Sequence, residues 1–234
     1  MVGDVLFEAP EWEALRLSLF VALTAAALTL PFAIGGAWFV ARSGAPGRGI
    51  VNAAMHLPLV LPPIVVGYLL LLLLGVRGPV GRLLYETFGL RLAFTTKAVV
   101  IATATMILPV MARAIRLSLD AVDRGLETAA RSLGASRADV FGSITLPLMA
   151  PGILAAAAIG FTAALGEFGA VIIFAANIAG ETRTLPLAIY TALQVPGGEG
   201  AAARLATLSI LLALTGLATS EWLNARLRAR RGLA

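Results

Sequence analysis

The stretch ETAARSLGASRADVFGSITLPLMAP, Glu127–Pro151, lies between two of the most apolar parts of the chain and is polar over most of its length. Leu126, Ala130 and Leu133 recur at the spacing of one helical face, which predicts a short helix with a small apolar stripe. Gly134 follows this helix and permits a turn that residues with side chains rarely adopt. The first helix is therefore predicted to end at this glycine.

A second short helix is predicted directly after the turn. Ser136 and Asp139 have the spacing of a capping box. Pro147 stands where the next apolar run begins, near a first helical turn, in which its missing N–H costs least. The pattern predicts a helix–turn–helix over about residues 120–147. Two interpretations of its modest apolar surface are open: packing against the chain's own helices, or docking of a soluble partner.

The composition around this segment is that of a membrane protein. The 234 residues are 59% hydrophobic and only 13% charged, with a mean hydropathy of +0.91, whereas a soluble domain is about half apolar and a quarter charged. Cysteine is absent, so the redox compartment cannot be inferred. The acidic start, residues 1–14, lacks the basic region of a signal peptide, and the apolar run behind it is predicted to stay as a first span.

Five segments are long and apolar enough to cross a bilayer, which takes about 20 residues of helix. They cover about residues 17–40, 56–76, 98–117, 148–174 and 205–223. Pro58, Pro62 and Pro63 in the second segment are predicted to break or kink it. Irregular backbone at membrane depth is tolerated only where protein or water covers it, so this segment is a candidate for the pore lining, with an ordinary proline kink as the alternative.

Arginine and lysine positions predict the orientation. With the C-terminus in the cytoplasm and the N-terminus outside, eleven of the 18 basic residues lie inside: Arg42, Arg48, Arg113, Arg116, Arg124, Arg131, Arg137, Arg226, Arg228, Arg230 and Arg231. The 120–147 segment then lies in the cytoplasm. Because topology accounts for the net charge of +5, no nucleic-acid partner is predicted.

Several residues of this segment resemble a known loop. Ala129-Ala130, Gly134 and Ile144-Thr-Leu146-Pro147 resemble the EAA loop of the permease subunits of binding-protein-dependent ABC importers, with matching spacing from the glycine to the Ile-x-Leu-Pro end. In that family the loop is a coupling helix inserted into a groove of the ATPase subunit. The family's glutamate would fall on Thr128, whereas this chain has Glu127 one position earlier.

A second stretch resembles one branch of the same family. The residues from Leu165, LGEFGAVIIFAANIAGETRTLPLAIYTALQVPGGEGAAARLA, are similar to molybdate permeases. The GEFGA part is shared with sulfate permeases, while the continuation over Asn177–Pro186 and Ala188–Tyr190 is closer to the molybdate branch. The resemblance extends over nearly the whole chain, up to Ser220–Leu223.

The resemblance implies an all-α integral membrane protein of the type I ABC importer permease architecture, with five spans in one permease domain over residues 1–234. It implies a homodimer in a prokaryotic inner membrane, with the route along the two-fold axis, cytoplasmic ATPase subunits and an extracytoplasmic molybdate-binding protein. The expected coupling residues are Glu127, Ala129, Ala130, Gly134, Ile144, Leu146 and Pro147.

The chain is predicted to be a transport subunit and not an enzyme. A P-loop needs a lysine between a glycine and a hydroxyl residue, and the only lysine, Lys97, lies in Thr-Thr-Lys-Ala. No cofactor of its own is therefore expected, and ATP is expected on the partner subunit. His56, the only histidine, is predicted to be an interfacial residue and not a zinc ligand.

Two groups near the outer side are candidates for gating or translocation. Glu167 is an ionisable residue at membrane depth, which by itself suggests function. Because a carboxylate repels a dianion, we expect it to act in gating, or to hold Gly166 and Gly169 in a helix–helix contact, without touching the substrate.

The second group is Arg183 with Thr182 and Thr184, a set of donors that could receive an oxyanion. A solvated loop arginine, or one that contacts the binding protein, is the alternative. The following residues, about 184–195, are too few to span and predict a re-entrant or interfacial helix.

Three alternative functions remain open at this point. The same machine could carry sulfate, thiosulfate or tungstate, because tetrahedral oxyanions differ mainly in size. A secondary transporter or channel acting alone would predict inverted repeats and charges paired within the spans, and neither pattern is evident. An intramembrane enzyme is disfavoured by the single histidine and the absence of cysteine.

Overall fold

The computed structural model describes residues 9–230, apart from the side chains of 220, 223–225 and 227–230. Residues 1–8 of the acidic start, and Arg231, which the predicted orientation places in the cytoplasm, lie outside this range. The helices are α1 (Ala9–Arg42), α2 (Arg48–Val60), α3 (Pro63–Leu74), α4 (Pro79–Phe88), α5 (Thr96–Asp120), α6 (Arg124–Ser132), α7 (Arg137–Val140), α8 (Leu146–Leu165), α9 (Gly169–Phe174), α10 (Leu185–Leu193) and α11 (Glu199–Arg230). A π-helical turn, Phe141–Thr145, joins α7 to α8.

The predicted all-α membrane architecture is confirmed. Four helical stretches of the described chain are long and apolar enough to cross a membrane: Ala9–Arg42, Thr96–Asp120, Arg137–Leu165 and Glu199–Thr219. The pair α2 and α3 counts as a fifth span if its two bent halves are taken together. The helices extend beyond the predicted segments 17–40, 98–117 and 205–223, because helical hydrogen bonds continue into polar flanks that a hydropathy pattern does not include.

The second span is broken, as its prolines predict. The chain bends by 118° between α2 and α3. Leu61 and Pro62 between them are extended, as expected of residues that precede prolines. Pro63 then occupies the first position of α3, where its missing N–H is harmless. The predicted segment 56–76 is therefore two half-helices, of which the first begins earlier, at Arg48, and the second ends at Leu74.

The fourth span also differs from the prediction of one helix over 148–174. The helix ends at Leu165, and α9 begins separately at Gly169. At the other end the helix begins at Arg137 and runs through the π-helical turn, so Pro147 lies within a continuous helix. A proline ring clashes with the carbonyl of the preceding turn in a regular α-helix, and the wider π-helical turn directly before Pro147 is the usual kind of local adjustment.

Helices α1, α5 and α8 form the centre of the bundle, where small side chains let the backbones approach closely. Fully buried alanines line these contacts: Ala22, Ala25, Ala33, Ala98, Ala102 and Ala156. Ile107, Met111, Ile115 and Met149 fill the remaining space. By contrast, α3 carries exposed apolar side chains, among them Ile64, Tyr68, Leu69 and Leu72. Such an exterior suits lipid or a second membrane subunit.

The two ends of the bundle are distinct. One end, called here the loop end, holds residues 120–147 and the C-terminus of α1. At the opposite end, Arg204 of α11 forms an ion pair of 2.8 Å with the buried Glu11 of α1. There too the Ser18 hydroxyl accepts a hydrogen bond of 2.7 Å from the Leu185 N–H of α10. These polar contacts fix α10 and α11 to the first span.

Candidate functional site

The 120–147 segment is a helix–turn–helix at the loop end, as predicted. Asp123 caps α6 by accepting a hydrogen bond of 2.7 Å from the Gly125 N–H. Gly134 has a φ of 93°, a left-handed conformation that favours glycine, and it makes the turn. Ser136 and Asp139 form the predicted capping box at the start of α7. Both local signals read from the sequence are therefore confirmed.

The apolar stripe of α6 points away from the bundle. Leu126 is 49% exposed and Leu133 is 89% exposed, and Ala129 is exposed as well. Ala130 is half-buried. Two exposed leucines on a short polar helix are a surface that another protein can cover. Of the two interpretations, packing on the chain's own bundle does not describe this surface.

Glu127 faces the opposite way, into the protein. Its carboxylate lies 3.2 Å from Arg42 Nε in an ion pair, and the Thr145 hydroxyl donates a hydrogen bond of 2.9 Å to it. The side chains of Arg42 and Glu127 are only 9% and 13% exposed, and Thr145 is buried. The charge of this glutamate is therefore compensated within the chain.

Arg42 makes further contacts that join three helices. It is the last residue of α1, and its guanidinium donates hydrogen bonds of 2.9 Å to the Leu119 carbonyl and 3.3 Å to the Val122 carbonyl. Leu119 lies in the last turn of α5 and Val122 just beyond it, in the region where helix carbonyls lack regular i+4 partners. Arg42, Glu127 and Thr145 together are called here the arginine cluster. It connects α1, α5, α6 and the π-helical turn.

The cluster gives a physical meaning to the displaced glutamate. One residue along a helix is a rotation of about 100°, so Glu127 points inward while Thr128 is exposed, its hydroxyl donating to the Arg124 carbonyl at 2.9 Å. Of the other expected coupling residues, Ile144 and Leu146 are half-buried and Pro147 is exposed. No motif of the sequence predicts Arg42 or Thr145 as a site residue. The only sign of this cluster in the sequence is the arginine at the end of the first span.

The two broken spans meet each other inside the bundle. A Cβ atom at Gly67 of α3 would lie 2.5 Å from the Ala170 carbonyl oxygen, and one at Gly169 would lie 2.6 Å from Pro63 Cβ. The start of α9 therefore packs directly against α3, with backbone on backbone. Discontinuous helices of this kind are typical of membrane transporters, in which they form binding sites and gates.

Glu167 lies in the break between α8 and α9. Its Oε1 accepts a hydrogen bond of 2.9 Å from the Ala170 N–H, so the carboxylate caps the short helix α9. Gly169 is in contact with α3, whereas Gly166 is exposed and has no close neighbour in another helix. Within the described residues, Gly169 therefore makes the expected helix–helix contact and Gly166 does not. Gating by Glu167 remains a prediction.

The threonines beside Arg183 do not form a cradle of donors with it. Thr182 is buried, accepts a hydrogen bond of 2.8 Å from the Ile178 N–H and donates to the Ala176 carbonyl. Thr184 is also buried. Arg183 is half-buried and donates to Asn177 Oδ1 at 2.9 Å. An anion contact at this place would depend on Arg183, and it remains a prediction.

The short helix α10 occupies most of the predicted residues 184–195. The ring of Tyr190 lies 5.3 Å from that of Phe168, in the break between α8 and α9. That α10 enters the membrane remains a prediction.

His56 of α2 pairs its Nδ1 with the Asn52 carbonyl at 2.8 Å, an ordinary contact within one helix.

The comparisons with known proteins agree with these features. The model of the family described as binding-protein-dependent transport system inner membrane component matches residues 33–229. The chain is 52% identical over 223 residues to the molybdenum transport system permease protein ModB of Escherichia coli strain K12, covering 95% of this chain and 97% of that protein. It is 34% identical to the sulfate transport system permease protein CysT of Salmonella typhimurium, and that match covers 85% of this chain and 73% of that protein.

A solved structure shares the fold. A chain of the bacterial alginate ABC transporter, crystallised in complex with an alginate pentasaccharide-bound periplasmic protein, matches with a TM-score of 0.69 at 18% identity. The match covers 97% of this chain and 80% of that chain. At this level of identity the likeness concerns the arrangement of helices and not the substrate.

Proposed function

The chain belongs to the inner membrane components of binding-protein-dependent transport systems, and from this membership we propose that it is the permease subunit of an ATP-driven importer of molybdate. The choice of anion is supported by the identity of 52% with a molybdenum permease against 34% with a sulfate permease. Both relatives match over most of their length, so the difference does not come from one shared segment.

The proposed transport mechanism rests on one observation about α6. Its apolar stripe points away from the bundle, while an ion pair on its other face holds it to the bundle. The exposed leucines Leu126 and Leu133 offer the surface on which a cytoplasmic ATPase subunit docks. Glu127 on the other side of the same helix is held by Arg42. Movement of a docked ATPase therefore reaches α1 and α5 through charged contacts and reaches α8 through the π-helical turn.

The mechanism that follows is alternating access. ATP binding draws two ATPase subunits together, and the conformation that binds ATP more tightly becomes the populated one. The permease needs this external motor, since its sequence carries no P-loop. The two broken spans, α2–α3 and α8–α9, line the route, because irregular backbone at membrane depth must face protein or water.

The assembly requires two permease copies and an extracytoplasmic protein that delivers the anion. The exposed apolar face of α3 is a suitable contact for a second copy, with the route on the two-fold axis. The N-terminus lies outside and the C-terminus in the cytoplasm, as the arginine distribution predicts. Selectivity rests mainly with the binding protein, because the spans carry few polar groups.

Uptake by reconstituted vesicles tests the function. Vesicles that contain this chain with its ATPase and binding protein should accumulate molybdate only with ATP, in competition with tungstate but not with excess sulfate. ATP-dependent accumulation of sulfate instead would support an importer of the same kind, with sulfate as its substrate. Uptake without the ATPase would contradict the docking role of the 120–147 segment.

A further inference from the structure

A cavity of about 350 Å³ lies beside the arginine cluster at the loop end. It is bounded by α1, α6, α7 and the π-helical turn, and four of its lining residues are arginines: Arg42, Arg124, Arg131 and Arg137. Among the described residues, Glu127 is the only acidic one in the lining. The cavity therefore carries an excess of positive charge.

Within residues 9–230, three of these arginines form no ion pair, and Arg124 donates a hydrogen bond of 3.4 Å to the Ala41 carbonyl. Arg42 and Glu127 neutralise each other. Arg131 and Arg137 are exposed, and within residues 9–230 neither forms an ion pair. Both face an opening in which a negatively charged group would gain charge-assisted hydrogen bonds. The cavity thus suits a ligand with a compact anionic head.

An apolar groove continues from this cavity along α1. It is lined by Gly35, Trp38, Arg137, Ala138 and Phe141, and it shares Trp38, Arg137 and Phe141 with the cavity. The rings of Trp38 and Phe141 meet edge to face at 6.1 Å. The combined surface is cationic at one end and apolar at the other.

The groove runs from the loop end back along the first predicted span. With a rise of 1.5 Å per residue, Trp38 lies about 6 Å and Gly35 about 10 Å before Arg42 along the first span. Tryptophan is enriched at the level of the lipid headgroups, and basic pockets between membrane helices bind anionic headgroups. The depth of the groove therefore matches the glycerol and upper acyl region of a lipid.

We propose that the cavity and groove bind an anionic phospholipid. Its phosphate lies between Arg131 and Arg137, and an acyl chain lies along Gly35, Trp38 and Phe141. The lipid then holds α6 and α7 against the first span, in addition to the arginine cluster. This site is independent of the transported anion.

Quenching of Trp38 fluorescence tests the proposal in the full-length chain. In a Trp12→Phe, Trp222→Phe background, phosphatidylglycerol with brominated acyl chains should quench Trp38 at lower concentration than brominated phosphatidylcholine. Arg131→Gln with Arg137→Gln should weaken phosphatidylglycerol binding about twenty-five-fold, because each arginine near an anionic lipid contributes about a factor of five. Arg77→Gln with Arg82→Gln, outside the cavity, removes the same charge and should leave binding unchanged.

Gly35→Leu provides a second variant that keeps all four arginines. Among the described residues, no neighbouring atom lies within 4 Å of a Cβ at this position, which lines the groove, so we expect the leucine side chain to occupy the groove. It should weaken quenching by phosphatidylglycerol while the melting temperature is unchanged. Equal quenching by both lipids, or wild-type phosphatidylglycerol binding in both the arginine and the Gly35 variants, would overturn the proposal.

Two further outcomes would also overturn it. Displacement of phosphatidylglycerol by millimolar inorganic phosphate would show a site for a free anion. Loss of ATPase binding in the arginine variant, with lipid binding intact, would assign the cavity to the protein interface.

Discussion

At the scale of single residues, Glu127 and Arg42 decide how the 120–147 segment is held. We expect Glu127→Gln to lower the free energy of unfolding by about 2 kcal/mol, because it leaves the nearly buried guanidinium of Arg42 without its counter-charge. Thermal melting of the purified protein measures this. Glu86→Gln is the matched control, since its ion pair with Arg82 is exposed and should contribute less than about 1 kcal/mol.

Neighbouring Thr128 gives the contrasting result at the same scale. Its side chain is exposed and bonds only within its own helix, so Thr128→Ala should change stability by less than about 0.5 kcal/mol. If Thr128→Ala destabilised the protein as much as Glu127→Gln, the inward orientation of Glu127 would not be the relevant feature.

The pair of Arg42 and Glu127 also shows what a sequence can and cannot predict. The capping box and the Gly134 turn involve residues that are close together in the sequence, and both were predicted correctly. The ion pair joins residues separated by 85 positions, and no local pattern specifies it. The same holds for Gly169 against Pro63, which only the packing of α9 on α3 brings together.

At the scale of elements, the turn between α6 and α7 sets the direction of the proposed docking surface. Gly134→Val should cost about 1–2 kcal/mol, because valine is strained at a φ of 93°. Among the described residues, no neighbouring atom lies within 4 Å of a Cβ there, so no steric clash adds to this strain. We expect normal insertion in the membrane but loss of ATPase recruitment, measured by co-purification. Gly134→Asn is the control, because asparagine tolerates the left-handed conformation. Normal recruitment and uptake by the valine variant would contradict the docking role.

The contact between the broken spans is a second feature of this scale. Gly67→Leu should lower the free energy of unfolding by about 1–3 kcal/mol, because its Cβ meets the Ala170 backbone. Gly200→Ala, on α11 with open space around it, should be tolerated. Equal melting temperatures of the Gly67 variant and the wild type would mean that α9 moves freely away from α3.

The helix breaks show the limit of pattern-based prediction for whole elements. The break before Pro63 was predicted, because proline removes a backbone donor wherever it stands. The break at Gly166–Phe168 was not, because glycine is common in membrane helices and need not interrupt them. In the structure the carboxylate of Glu167 supplies the acceptor for the Ala170 N–H, so a side chain stabilises an end that hydropathy does not reveal.

At the scale of the whole molecule, the first span joins the two ends of the bundle. Helix α1 carries Arg42 of the arginine cluster at one end and Ser18 and Glu11 at the other, and it packs on α5 and α8 through small residues. Closely packed helices transmit displacement and do not absorb it, since protein interiors have low compressibility. A motor at the loop end can therefore change the opposite end.

Arg183 at the opposite end tests whether that region handles the anion. Its guanidinium bonds Asn177 and is only half-buried, so it keeps donors for an arriving oxyanion. Arg183→Ala should reduce ATP-dependent molybdate uptake about tenfold at an unchanged membrane level, as expected for one lost charge-assisted hydrogen bond. Arg77→Ala, an exposed arginine of another loop, is the control. Uptake by the Arg183 variant at the wild-type rate would make it a solvated loop residue, and the anion would then pass this end without binding there.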